Sequence, residues 1–497
     1  MATHVYPTAE IERSPSQQLV EQAYARATGA PLVLGNRVRL LKDAEENYPA
    51  WLECIAAATR TIHFESYIIH EDEAGYEFAE ALIAKAKEGV KVRLIYDWLG
   101  AIGKTSWRFW RRLREAGVDV RAFNPPRFDE PFGWLNRDHR KMLSVDGRVG
   151  FVTGLCVGQD WRGRPERGRE PWRDTGVEIR GPAVADIEHA FSRVWEAACG
   201  RPIPRRWLPT RESLPEEGDM AVRVIQTEPN TVGMYRLEQL VAAGARETLW
   251  ITDAYFVGTN TYVQALRSAA QDGVDVRLLV PSSSDIPVLS AVSRANYRSL
   301  LDGGVRVFEW NGSMIHAKTA VVDGQWARVG STNLNVVSWM GNWELDVTVE
   351  DERFAREMEE MYEADLENST EIVISNRKRV RPVRPAKHRP RRSRGSRRGS
   401  AGRAAAGAIG IGSAVGAAIA ARRLLGPAEA RIMVAAAGAL LLLSIVAVKW
   451  PRVVTFPLAF FGLWTAIALL VRAYKLHRRG AEEEKKEPGG NQLRIKN

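Results

Sequence analysis

An internal duplication limits the folds open to this chain more than anything else in it. "HRKMLSVDG" stands at 139–147 and "HAKTAVVDG" at 316–324, the same His-x-Lys-x-x-x-x-Asp-Gly pattern twice. Longer stretches repeat around it. "TIHFESYII" (61–69) matches "LWITDAYFV" (249–257): an apolar run, an acid, one residue, then Tyr67 or Tyr255. "EGVKVRLIYD" (88–97) matches "DGVDVRLLVP" (272–281), and "AGVDVRAFN" (116–124) matches "GGVRVFEWN" (303–311). Each time a helical pattern stops at Gly and an alternating Val/Leu run follows, which reads as helix, Gly cap and strand. Strands alternating with helices predict an α/β fold with a parallel or mixed sheet, built twice. We place the first half at 35–200, after an N-terminal extension (1–34), and the second at 220–372. A linker rich in Pro and charge, 201–219, joins them.

The remainder differs in character. Residues 373–403 are poor in apolar residues and crowded with Arg, Pro, Ser and Gly, the composition of a disordered basic linker. A membrane region is expected at 404–479. Residues 432–448 and 453–471 are uncharged apolar runs bordered by Arg431, Lys449, Arg452 and Arg472. At ~1.5 Å per residue each would span about 26–29 Å, near the ~30 Å of a hydrocarbon core. "KWPR" between them leaves room for a tight hairpin only. The alternative is a helical hairpin buried in a soluble core. A third stretch, 404–421, is marginal in hydrophobicity but carries Gly412-x-x-x-Gly416, a close-packing pattern in lipid. Residues 480–497 are a polar tail.

The net charge of +10 is unevenly placed. Residues 377–403 hold 13 Lys/Arg and no acid, and residues 1–376 sum to −11. An acidic globular part argues against nucleic acid as partner. Basic flanks on both outer sides of the apolar pair put those ends, and the globular part, in the cytoplasm. Cys54, Cys156 and Cys199 have neither disulfide nor metal spacing and fit a reducing compartment. The first residues, "MATHVYPTAEIERSPSQQ", lack the apolar core of a cleavable signal.

His139, Lys141, Asp146, His316, Lys318 and Asp323 form the candidate catalytic set. His and Lys two apart share a strand face, and Asp-Gly then reads as a hairpin turn. The aspartates have the opposite parity, so their expected work is to hold turn geometry. Lys offers fixed positive charge to phosphoryl oxygens, and imidazole can attack phosphorus or carry a proton. One His cannot easily be in-line nucleophile and leaving-group acid at once, so two copies facing each other would divide those roles. Each His also needs a carboxylate to fix its tautomer; Asp174 and Glu344, which follow the two motifs, are the candidates. No metal or cofactor is called for, since His-x-Lys lacks a second ligand at metal spacing. "SWRFWRRLR" (106–114) could rest on anionic lipid or be a helix with aromatics in the core.

These residues resemble the phospholipase D superfamily, whose signature is this motif twice, followed by Gly-Gly/Ser-x-Asn. The second copy keeps Gly330, Ser331, Thr332 and Asn333; the first has Thr153, Gly154, Leu155 and Cys156, with Cys156 at the Asn position. The resemblance is strongest to bacterial cardiolipin synthases, over roughly residues 35–365, through "GNRVRLLKDAEENYPAWLECIAAATRTIHFESYII", "WRDTGVEIRGPAV", "VPSSSD" and "GSTNLNVVSWMGNWEL". It implies two phospholipase D-like α/β halves around one shared active site, with Ser331 and Asn333 binding phosphate or orienting its partners. It implies phosphatidyl transfer through a phosphohistidine, with His139 as nucleophile and His316 as acid/base, an order the sequence does not fix. The implied substrates are phosphatidylglycerol and, as donor in some relatives, phosphatidylethanolamine. The implied location is the bacterial inner membrane. Phospholipid hydrolysis, a nuclease and a silent lipid-binding scaffold are the alternatives.

Overall fold

A computed structural model describes residues 15–126, 136–374 except 284 and 286, 380–382, 438, 441, 444, 445 and 448–484. It divides into two units: residues 1–123 with 136–429, and residues 124–135 with 430–497.

In the first unit the duplication becomes two sheets of one design. The strands are β1 (Val33–Lys42), β2 (Thr61–Ser66), β3 (Lys91–Asp97), β4 (Asp119–Phe123), β5 (Arg137–Asp138), β6 (Lys141–Val145), β7 (Val149–Thr153) and β8 (Thr175–Arg180). Then come β9 (Met220–Thr227), β10 (Thr248–Asp253), β11 (Asp275–Pro281), β12 (Arg306–Trp310), β13 (Lys318–Val322), β14 (Trp326–Gly330), β15 (Asn342–Glu350), β16 (Ser369–Ile374) and β17 (Val380–Pro382). The first sheet runs β4–β3–β2–β6–β7–β8–β1, and the second β12–β11–β10–β13–β14–β15–β9, with β16 and β17 added antiparallel beyond β12. In both, the three helix-linked strands pair in parallel and the rest antiparallel, so each sheet is mixed. A bulged pairing of β1 with β9 joins them.

Strands covered on both faces read as continuous apolar runs, because neither face meets water. Each half has its own outer core, such as Trp51, Phe64 and Phe78 in one and Leu237, Leu266 and Leu278 in the other. A third core is shared. Val152, Ile179 and Phe191 of the first half pack in it with Val224, Leu279 and Leu345 of the second and with Phe354 and Met358 from the helix Glu352–Glu367. That common core fixes the halves against each other.

Three stretches outside the repeated strands are ordered on the protein. Residues 15–28 are a helix packed on the second half: buried Arg223 binds Glu21 and the carbonyl of Ala30. The 201–219 linker is laid on the protein, with Ile203 buried and Arg211 bound to Asp186 at 2.7 Å. Within the stretch read as disordered, 380–382 pair with β16, since an edge strand gives their backbone groups partners. Residues 375–379 and 383–403 lie outside the described residues. In the helix Trp107–Glu115, Phe109, Trp110 and Leu113 are buried, as the core alternative requires, while Trp107 is exposed beneath Arg111.

In the second unit, Pro451–Glu484 is a helix with Pro at its first position, where no N–H is needed. Its segment Pro451–Val471 has mean hydropathy 2.1 and is long and apolar enough to cross a membrane. The expected spans at 432–448 and 404–421 fall almost wholly outside the described residues.

Candidate active site

Each motif folds as its residue types dictate. Asp146 and Gly147, and Asp323 and Gly324, all adopt positive φ, which Asp and Gly tolerate. The turns close with Arg148 N–H on the Val145 carbonyl (3.0 Å) and Gln325 N–H on that of Val322 (3.1 Å). The Asp146 carboxylate accepts the N–H groups of Thr59, Arg60 and Thr61 at 2.7–2.9 Å; Asp323 accepts those of Arg246, Glu247 and Thr248. Both aspartates therefore clamp the start of β2 or β10. They sit at the far end of β6 and β13 from the histidines, where they hold the turns, in line with their parity.

At the other end of those strands the halves meet. The N–H of His139 donates to the Trp343 carbonyl (2.9 Å), and that of His316 to the Arg173 carbonyl (2.7 Å). These two backbone bonds are the same bond made twice, once in each direction. They bring each His to the other half's acid. His139 Nδ1 lies 2.9 Å from Glu344 Oε2, and His316 Nδ1 lies 2.7 Å from Asp174 Oδ2. Neither His is oriented by the acid that follows its own motif. The pairing crosses between halves, a fact no local spacing could reveal.

Both acids are fully buried. Burial alone would push their carboxyls up, but the facing imidazole, its hydrogen bond and a nearby lysine outweigh it and hold both below the ordinary range. An ionised carboxylate needs a donor, so Nδ1 carries the proton in each His and Nε2 keeps the lone pair. Burial lowers His139, with the Lys141 and Lys318 charges adding and Glu344 opposing. Burial, then the Lys318 charge, brings His316 down to about 4 against the pull of Asp174. Both rest neutral at pH 7. The crossed backbone bonds and His–acid pairs bring both motifs to one seam between the halves.

Lys141 and Lys318 are each 1% exposed and turn back to donate to the carbonyls of His139 and His316. Burial, opposed by Asp174 and reinforced by the Lys141 charge, pulls Lys318 down to about 8, so it is still mostly charged at pH 7. Lys318 Nζ also lies 3.0 Å from His316 Nδ1. An ammonium has no acceptor and Nδ1 already donates to Asp174, so this is a charge contact and not a hydrogen bond. Tyr67 packs edge-on against His139 (5.0 Å) and Tyr255 against His316 (5.9 Å), giving the repeated tyrosines a place.

Around the acids the halves diverge. Ser331 donates to Glu344 Oε2 at 2.6 Å, and Asn342 to Oε1 at 3.1 Å. The position matching Ser331 is Gly154, where a Cβ would stand 2.2 Å from Asp174 Oδ1. Asp174 instead accepts the indole N–H of Trp161 at 3.0 Å and the N–H of Thr175 at 2.9 Å. Asn333 is buried with its Oδ1 unpartnered among the described residues. Cys156, its counterpart, is a buried thiol pushed up by burial.

Sequence reasoning gave Arg140 no part. It is fully buried, donates to the carbonyls of Glu344, Ala190 and Thr227 at 2.9–3.2 Å, and lies over Trp343. It pins the first motif to the second half. Its only sequence signal is a charge between two strand residues destined for burial.

Comparison with known proteins bears on this arrangement. The family model described as "Cardiolipin synthase, PLD-like domain" matches residues 51–195 and 240–366, which contain both motifs and both acids. Cardiolipin synthase A of Pseudomonas aeruginosa (strain LESB58) is 36% identical over 370 residues, 72% of this chain and 73% of that protein. A cardiolipin synthase of Alkalihalophilus pseudofirmus is 32% identical over 362 residues, 72% of each. The crystal structure of phosphatidylserine synthase from Haemophilus influenzae Rd KW20 superposes with a TM-score of 0.57 at 14% identity, covering 71% of this chain and 91% of that one.

Proposed function

Because the chain belongs to the cardiolipin synthase family of phospholipase D-like proteins, and is thus a phosphatidyltransferase, we propose that it moves a phosphatidyl group onto the headgroup hydroxyl of phosphatidylglycerol through a phosphohistidine. The observation that carries this reading is the crossed pairing of two neutral histidines with buried carboxylates, beside two lysines.

In the first step His139 Nε2 attacks the donor phosphorus. The P–O bond to the departing alcohol breaks, and His316 supplies that oxygen's proton. As His139 gains its bond to phosphorus, Glu344 balances the positive charge on the ring. Lys141 and Lys318 stabilise the phosphoryl oxygens without a metal, and Asn333 offers them its amide. In the second step His316 takes the proton of the acceptor hydroxyl, whose oxygen attacks phosphorus, and the P–N bond breaks. With His316 pulled down to about 4, the protonated form needed first arises only as substrate binds: the donor's phosphate anion offsets the lysine charges that hold His316 neutral.

The apolar segment Pro451–Val471 and the basic residues near it fit an enzyme held at the cytoplasmic face of the bacterial cell membrane, beside its substrates. The test is incubation of the full chain with labelled phosphatidylglycerol. Cardiolipin plus glycerol is the expected outcome, and phosphatidic acid alone would make the enzyme a hydrolase. No turnover, with or without phosphatidylethanolamine, would sink both. A phosphatidyl adduct surviving in His316→Ala and absent from His139→Ala is expected, and the reverse would exchange the two roles.

A further inference from the structure

The duplicated framework allows position-by-position comparison of what surrounds the two histidines. Trp161 and Ser338 each stand 22 residues after their motif His. Trp172 and Asn342 each stand two residues before their half's orienting acid. With Gly154 against Ser331 and Cys156 against Asn333, four positions are polar in the second half and apolar or aromatic in the first. Because the acids cross over, the first half's two tryptophans lie against His316 and its Gly154 against Asp174. Trp161 lies 5.5 Å from the His316 ring and Trp172 5.7 Å, and the two indoles pack on each other at 4.8 Å. Tyr255 contributes a third ring.

Trp161 spends its single donor on Asp174. The wall it makes with Trp172 therefore has at most the Trp172 indole N–H to offer a water molecule. A buried water needs two to four polar partners to be held, and the second half's equivalents, Ser338 and Asn342, would supply them.

The geometry points to Trp161 and Trp172 as the residues that set alcohol transfer over hydrolysis, by keeping water from the oxygen side of His316. This rests on the phosphatidyl-transfer reading above, with His316 as proton carrier. Both competing reactions break the same P–N bond of phosphohistidine 139, with its electron pair returning to Nε2. In transfer, the phosphatidylglycerol hydroxyl oxygen forms the new P–O bond and its proton goes to His316. In hydrolysis, water oxygen forms that bond, its proton goes to His316, and phosphatidic acid leaves. Only the nucleophile differs, and water is the smaller and more abundant. Discrimination must therefore come from what the pocket refuses to solvate.

Trp172 is half-buried, which makes it the safer of the two to replace. Full-length protein with labelled phosphatidylglycerol in vesicles gives cardiolipin and phosphatidic acid from one reaction. The ratio of the two reports partition independently of the amount of active enzyme. Trp172→Asn, which installs the second half's residue, is expected to raise the phosphatidic acid to cardiolipin ratio about tenfold, equivalent to ~1.4 kcal/mol between two barriers. Trp172→Phe keeps an aromatic wall and should stay near the wild-type ratio. An unchanged ratio in Trp172→Asn, or an equal rise in both variants, overturns the proposal. Should Trp172→Asn not fold, Trp172→Gln, which also brings an amide to the wall, decides in its place, and an unchanged ratio there overturns it equally. Wild-type protein that makes no cardiolipin would instead remove the underlying reading, so the two failures are distinct.

Discussion

The two halves share strand order, turn chemistry and even the backbone bond that presents each His, yet they treat their histidines differently. The second half gives His139 a glutamate held by Ser331 and Asn342; the first gives His316 an aspartate held by Trp161 and the Thr175 backbone. Duplication supplied the symmetry needed to bring two histidines together. Several departures from it fall on residues that hold the acids, Ser331, Asn342 and Trp161 among them, where equal halves would have made equal histidines. A displacement needs an attacker and a proton carrier, so inequality there is chemically useful.

The comparison breaks hardest at the crossed acids. Glu344→Gln and Asp174→Asn should each lower kcat about 10³–10⁴-fold, the scale seen when the orienting carboxylate of a catalytic His becomes an amide. Assay of cardiolipin formation checks both. If each acid served its own motif's His, Glu344→Gln would leave adduct formation at His139 intact; loss of the adduct is expected.

Arg140 has Ala317 as its counterpart, so the halves differ in who pins whom. Arg140→Met should destabilise the fold by roughly 3–5 kcal/mol, because three buried carbonyls lose their donor together. The urea midpoint reads this, and Ala317→Ser should change it far less.

The pH dependence sharpens the comparison further. Both histidines are lowered in the folded state, so the unfolded chain binds more protons below its own pKa of ~6.5. Stability from the buried neutral rings is full above pH ~6.5 and declines as pH falls toward the folded values, about 4 for His316. His316→Asn should flatten this loss between pH 6.5 and 4, and His139→Asn should act in the same direction; unfolding at stepped pH measures both. The smallest effect is expected where the halves agree. Asp146→Ala and Asp323→Ala should each cost about 1–2 kcal/mol, as lost backbone caps do, and turnover per folded molecule should stay at the wild-type level.

Much of this was legible early. His-x-Lys at period two and Asp-Gly with opposite parity foretold the hairpins and the turn-holding position of the aspartates, although the motif also put both aspartates among the catalytic candidates; strand alternation and turn φ are local properties. The helix–Gly–strand repeats foretold both sheets for the same reason. The 380–382 strand and the packed 201–219 segment were not legible, since polar, Pro-rich stretches take their structure from the surface they lie on. Trp161 could have been singled out only by asking what replaces a missing serine hydroxyl, and that question arises once Gly154 is seen against Asp174.

The sequence by itself determined that two similar α/β halves exist, which side chains are the candidates for the chemistry, and that one copy lacks the trailing Asn. Tertiary structure decided which acid serves which His, and which residues wall each one. Those partners are 142 and 205 residues apart, beyond any local periodicity. They meet because the shared apolar core docks the halves in one orientation, in which each His backbone bonds to the residue just before the other half's acid.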